Sequence, residues 1–290
     1  MIKLLYLMLL FSYIFIIPLI SSNLIEMPIL NAMPILNAMP IVVLHGVASS
    51  SSNMNDFSAW LETTFNTKVF NIEIGNGFRT SLYSPLTDQL NELCSTIYAI
   101  DELKDGFNFI GMSQGGLLAR GYTEQCNKYP VLNLITMVSP HGGVIENINI
   151  DLYSDFWQNQ LSIAGYWRDP QNLDNYLEKC SYLPILNNEM FTLISNMQIT
   201  NIKSLKNFIL IWSENDDVVN PPESGKFSFY DYNYNVIDIE ETLLYKEDLL
   251  GLKYLDEKNG FHIYETNCTH VQHRDPICFP QLYNIFKLYL

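Results

Sequence analysis

Along the chain, short apolar runs alternate with stretches whose apolar residues recur at helical spacing. Pro40 to Gly46 (Pro-Ile-Val-Val-Leu-His-Gly), Val69 to Ile74, Phe107 to Ile110, Leu132 to Val138, Phe208 to Trp212 and Phe261 to Tyr264 are such runs. Each is short and rich in aliphatic or aromatic residues, the signature of a buried strand. Between them, Leu86, Leu90, Leu93 and Ile97 form one helical stripe behind a Ser84 cap and a first-turn Pro85. Gly115 to Tyr122 resumes as helix after the third run, and a closing helix from Pro280 presents Leu282, Ile285, Phe286 and Tyr289. Six strands separated by helices predict a mostly parallel sheet covered on both faces, an α/β fold.

The gap between the fourth and fifth strands, about residues 140–207, is too long for a structureless loop and predicts an insertion with helices of its own. It holds Trp157, Tyr166, Trp167, Tyr176 and Tyr182. Half of these are expected to pack the insertion's own small core and half to wall an apolar pocket, as a lid would.

The N-terminus has Lys3, an apolar run from Leu4 to Ile20, then Ser21 and Ser22. Residues 1–22 therefore read as a secretory signal peptide, whose removal leaves no stable membrane span. In residues 23–39 the hexad Met27-Pro-Ile-Leu-Asn-Ala repeats from Met33 and begins again at Met39. Proline at every sixth position excludes a regular helix, so this is a spacer before one domain at residues 40–290.

The third run ends abruptly in Gly111-Met-Ser113-Gln-Gly115, a GxSxG pattern. A serine on a sharp strand-to-helix turn has its hydroxyl lifted clear of the sheet, with the free N–H groups of the helix beside it. That arrangement suits an acyl-transfer nucleophile, and such a serine needs a base and an orienting acid. Of the five histidines, His45 is placed to shape the loop after the first strand, His141 is a minor candidate near the pocket, and His262 lies within a strand. His270 and His273 follow the last strand, where the base of such a fold belongs, and His270 comes sooner. The loop after Trp212 offers Glu214, Asp216 and Asp217; by position either Asp216 or Asp217 serves as the acid. The N–H groups of Gln114 and Val47 are the candidate oxyanion donors.

A formal charge of −15 leaves no basic patch for a nucleic-acid partner. Five cysteines behind a signal peptide imply an oxidising compartment, with Cys94–Cys126 the first pair expected and Cys268–Cys278 the second. No cysteine or histidine spacing suggests a metal ion.

These residues resemble the palmitoyl-protein thioesterases, from about Pro40 to the C-terminus. Beyond Gly111–Gly116, the resemblance rests on Val42-Val-Leu-His-Gly46, Ile72-Glu-Ile-Gly75, Tyr166-Trp-Arg-Asp-Pro170 and Asn215-Asp-Asp-Val-Val-Asn-Pro221. Phe227-Ser-Phe-Tyr230 and the run from Glu241 to Lys253 are similar too, and have no catalytic rationale of their own. The resemblance implies an α/β-hydrolase fold, Ser113 as nucleophile, Asp216 rather than Asp217 as acid, His270 as base, and Val47 and Gln114 at the oxyanion. It also implies a Cys94–Cys126 disulfide and no cofactor. The implied reaction is hydrolysis of a fatty acyl thioester on S-acylated protein or coenzyme A, in the lysosome. The departures are Ser49, where the family often has aspartate, and Ser139-Pro-His-Gly-Gly143, both expected at the pocket rim. An oxygen-ester lipase and a fold that has lost its chemistry are the competing expectations.

Overall fold

Alternation along the strands divides the core into two halves. The computed structural model describes residues 38–190 and 192–290; the signal-peptide segment and nearly all of the hexad spacer lie outside the described residues. In chain order the elements are β1 Ile41–Leu44, α1 Asn55–Phe65, β2 Val69–Ile72, α2 Phe78–Tyr83, α3 Leu86–Tyr98, β3 Phe107–Met112, α4 Gln114–Gln125 and β4 Val131–Met137. Then come α5 Asp155–Gln158, α6 Leu173–Lys179, α7 Leu183–Leu186, α8 Ser195–Lys203 and β5 Asn207–Trp212. Last are β6 Phe229–Tyr230, β7 Val236–Ile237, α9 Leu243–Lys246, α10 Leu252–Glu257, β8 Phe261–Glu265 and α11 Phe279–Phe286.

Six strands make one parallel sheet in the order β2-β1-β3-β4-β5-β8, and β6 and β7 pair as a separate antiparallel ribbon. Val42, Leu44, Phe107, Phe109, Leu134 and Phe208 face one side, where α3, α4, α8 and α10 pack. Ile41, Val43, Ile110, Met112, Ile135 and Ile209 face the other, covered by α1 and α11. Period-two alternation of apolar residues thus supplies both faces of a doubly covered sheet.

The helical stripe on α3 is buried as its spacing predicts. Its start differs: Pro85 is the cap, with ψ 147°, and the helix begins at Leu86. Ser84 caps nothing with its side chain; its carbonyl accepts from Gln89 Nε2 instead. Two disulfides staple the chain, Cys94–Cys126 from α3 to the end of α4 and Cys268–Cys278 across the loop after β8. Cys180 is a buried free thiol.

One buried carboxyl contributes stability at acid pH. Arg120 and Glu124, one turn apart on α4, are both fully buried, and Arg120 Nε stands 3.5 Å from Glu124 Oε1. Arg120 Nη2 donates to Asn187 Oδ1 at 2.7 Å, and Gln198 Nε2 donates to Glu124 Oε2 at 2.9 Å. Arg120 Nε and Nη1 and Glu124 Oε1 have no hydrogen-bond partner among the described residues. Burial pushes the Glu124 carboxyl up from 4.5 to about 7, against the attraction of Arg120. The folded state therefore holds this proton more tightly than the unfolded chain. Its stabilisation is fully present below about pH 4.5 and is lost as pH rises through about 7. Raising the pH from about 4.5 to about 7 is expected to lower the urea midpoint of wild type relative to that of Glu124→Gln, an isostere of the neutral acid, because the opposing contribution of the buried histidines is common to both proteins. Equal changes in both proteins would assign the pH dependence to groups other than Glu124.

Candidate active site

Strand order places the site. The chain passes from β1 outward to β2, then returns to lay β3 on the other flank of β1, so the carboxyl ends of β1 and β3 bound a crevice where connections depart in opposite directions. Ligands of open α/β sheets settle in such a crevice. The residue after β3 is Ser113, and those after β1 are His45, Gly46 and Val47.

Ser113 has φ 56° and ψ −130° and caps α4, so the chain reverses sharply at this residue. The turn fits only because its neighbours are small. A Cβ at Gly115 would fall on the carbonyl oxygens of Leu44 and His45, and one at Gly46 would stand 2.8 Å from the Ser113 Cβ. Ala48 and Val138 also have positive φ, 48° and 46°. Ser113, Ala48 and Val138 all follow sheet strands at the same end, and backbone of this kind clusters at functional sites.

His270 Nδ1 lies 2.9 Å from both carboxylate oxygens of Asp216. Asp216 is held in turn, since its Oδ1 accepts the N–H groups of Val218 and Val219 at 2.9 Å each. Its side chain is only 1% exposed. Asp217 plays a different part: it is exposed, and its Oδ1 accepts the backbone N–H of His270 at 3.2 Å. Among the described residues no hydrogen bond joins Ser113 to His270. Catalytic contacts of this kind are often loose until substrate is bound.

Ser113 opens onto an apolar cavity of about 220 Å³ whose walls include Val47, Pro140, Leu161, Tyr166, Trp167 and Val219. Two of the insertion's aromatics, Tyr166 and Trp167, therefore face the serine, while Tyr176 and Tyr182 are buried away from it. Gln114, next to Ser113, is fixed by its side chain, which donates to Ser81 O at 2.8 Å and accepts from the Tyr166 hydroxyl at 3.2 Å.

The other histidines have structural partners. His45 Nε2 lies 2.7 Å from Glu73 Oε1 and its Nδ1 2.9 Å from Gly46 O, so it braces the first loop as expected. His141 is a correction: Pro140 reaches the pocket, but the imidazole turns inward, stacked on Phe227 at 4.5 Å and 2.9 Å from Thr136 Oγ1. Burial, and then Arg120, push its pKa well below the usual histidine range, so it stays neutral. His273 donates from Nδ1 to Thr269 O at 2.9 Å, which leaves Nε2 to accept from the Thr266 hydroxyl at 2.8 Å. That pairing anchors the loop carrying His270.

Residues 40–270 match the palmitoyl protein thioesterase family. The chain belongs to this family. Palmitoyl-protein thioesterase 3 of Dictyostelium discoideum is 34% identical over 264 residues, covering 86% of this chain and 91% of that protein. Lysosomal thioesterase PPT2 of Homo sapiens is 30% identical over 231 residues, covering 74% and 76%. Among solved structures, a monoacylglycerol lipase from Paleococcus ferrophilus superposes with a TM-score of 0.51 at 14% identity, over 85% of this chain and 91% of that one, a likeness of fold alone.

Two supports of this candidate site escape the sequence reading. Glu73 is the hub of the first loop, since its Oε2 also accepts from the N–H and hydroxyl of Ser51 at 2.9 Å each. Its traces in the sequence are a charge between Ile72 and Ile74, both buried, and its place in the Ile72–Gly75 segment of the resemblance, neither of which gives it a role. Arg274 Nη1 donates to Ser49 Oγ at 3.1 Å, joining the His270 loop to the first loop. The departure at Ser49 therefore sits at a contact between loops.

Proposed function

We propose that the protein hydrolyses long-chain fatty acyl thioesters, carried on S-acylated protein or on coenzyme A, through Ser113, His270 and Asp216. The observation that carries this reading is the serine on its strained turn, opening onto an apolar cavity at the same sheet end as the His270–Asp216 pair. Family membership over residues 40–270 supports the substrate class. A lysosomal location is supported by the lysosomal relatives and by the stapling disulfides, and an N-terminal signal segment would deliver the chain there.

In this scheme His270 takes the proton of Ser113 Oγ as that oxygen attacks the acyl carbonyl, and Asp216 holds the imidazole so that Nε2 is the basic nitrogen. The N–H groups of Val47 and Gln114 receive the oxyanion, each worth about 2.7 to 4 kcal/mol in comparable sites. The carbon–sulfur bond then breaks, the departing thiolate takes the proton from His270, and the acyl group remains on Ser113. Water, giving its proton to His270, attacks this ester; the bond to Ser113 Oγ breaks, His270 returns the proton to that oxygen, and the fatty acid leaves. The apolar cavity holds the start of the acyl chain and keeps bulk water from it.

Turnover of palmitoyl-coenzyme A against a palmitoyl oxygen ester of matched leaving-group size tests the reading. The expected result is a higher kcat/KM for the thioester. A clear preference for the oxygen ester would move the protein to lipase chemistry on the same residues.

A further inference from the structure

Three segments that carry the family resemblance, two of them without catalytic rationale, converge on one cavity. Arg168 comes from Tyr166–Pro170, Phe229 from Phe227–Tyr230, and Leu243, Leu244 and Leu249 from the run that begins at Glu241. With Leu177 of α6 they line a space of about 280 Å³ that is distinct from the one beside Ser113.

The polar groups at its floor are almost wholly engaged with one another. Arg168 Nη1 donates to Glu189 Oε1 at 2.7 Å, and the Tyr176 hydroxyl donates to the other oxygen of Glu189. The guanidinium lies 4.5 Å from the Tyr176 ring centre and 3.9 Å from that of Phe229. The hydroxyl of Thr242 donates to Ile239 O at 2.6 Å. Among the buried side-chain atoms lining this space only Arg168 Nε lacks a partner, on a side chain that is 9% exposed. The ion pair cancels its own charge, so the floor asks for no charged headgroup and the leucine walls ask for hydrocarbon. The mouth keeps apolar surface in water, with Leu243 70% exposed and Leu173 39%, a cost that a bound apolar group would remove.

We propose that this cavity is a binding site for one aliphatic chain, separate from the pocket that serves Ser113. An engineered cavity of about 150 Å³ holds benzene, so this space takes a chain segment of roughly eight to ten carbons. The two cavities stand back to back. Trp167 faces the serine and Arg168 the second space, and the Arg168 N–H donates to the carbonyl of Val144, itself a wall of the Ser113 pocket, at 2.9 Å.

Calorimetric titration with decanoate, below its micelle concentration, tests the site in wild type, Leu177→Trp and Leu243→Asp. Leu177→Trp fills the cavity and is expected to bind one equivalent fewer than wild type. Leu243→Asp places a charge at the exposed mouth, where the fold is indifferent to it, and is expected to weaken that equivalent at least about tenfold, or about 1.4 kcal/mol. The same stoichiometry and affinity in all three proteins would overturn the proposal, as would the absence of saturable binding to wild type. Because the readout is binding alone, it stands whatever Ser113 does to thioesters.

Discussion

Ser113→Ala is expected to lower kcat for palmitoyl-coenzyme A roughly a million-fold, the scale seen when the serine of a comparable triad is removed. The change deletes one oxygen at the cap of α4 and leaves the turn as it was, since alanine meets the same backbone demand at φ 56° that serine does. The walls formed by Val47, Leu161 and Trp167 are untouched, so KM is expected to move little. Steady-state kinetics on highly purified protein give the answer, and a loss of less than about tenfold would remove Ser113 from the reaction.

The second large effect separates two neighbouring acids. Asp216→Asn is expected to cost about 10⁴ in kcat, while Asp217→Asn leaves activity within a few-fold. The amide oxygen of an asparagine at 216 can keep the N–H groups of Val218 and Val219, which Asp216 Oδ1 now accepts at 2.9 Å. Its NH₂ then meets His270 Nδ1 and obliges that nitrogen to accept. The proton moves to Nε2, and the base faces the serine in the wrong tautomer. Asp217 accepts only the backbone N–H of His270, a bond that an asparagine oxygen makes equally well. Comparable losses in the two variants would mean that the acids share the work, and a reversed order would transfer the role to Asp217.

Legibility in the sequence followed the range of the interaction. Strands buried on both faces announce themselves as apolar runs, and all six of the sheet were readable, as was the stripe of α3, because burial acts on each residue separately. The pattern Gly111-Met-Ser113-Gln-Gly115 was readable because its steric demands are local: the turn at Ser113 needs small residues at fixed offsets. The elements α5, α7, β6 and β7 span two to four residues each, too few for any period to emerge. Glu73 and Arg274 escaped for another reason. Each acts by meeting a residue far away in the chain, and a lone charge at a strand end or in a loop looks the same whether it braces a site or faces water. His141 shows the converse, since a histidine beside a strand end looks available until Phe227 is found stacked against it.

The contact between Arg274 and Ser49 spans 225 residues of sequence, and this distance bears on how the protein comes into being. Ser113 and its turn are built from β1, β3 and α4, early in the chain, whereas His270, the proposed base, comes only with the loop after β8. On the proposed mechanism, a chain in the course of synthesis would carry Ser113 on its turn before His270 is available to deprotonate it. Closing so long a loop is slow relative to local steps, so in refolding from denaturant, reactivity towards a serine-directed phosphonate should lag behind the recovery of helical signal.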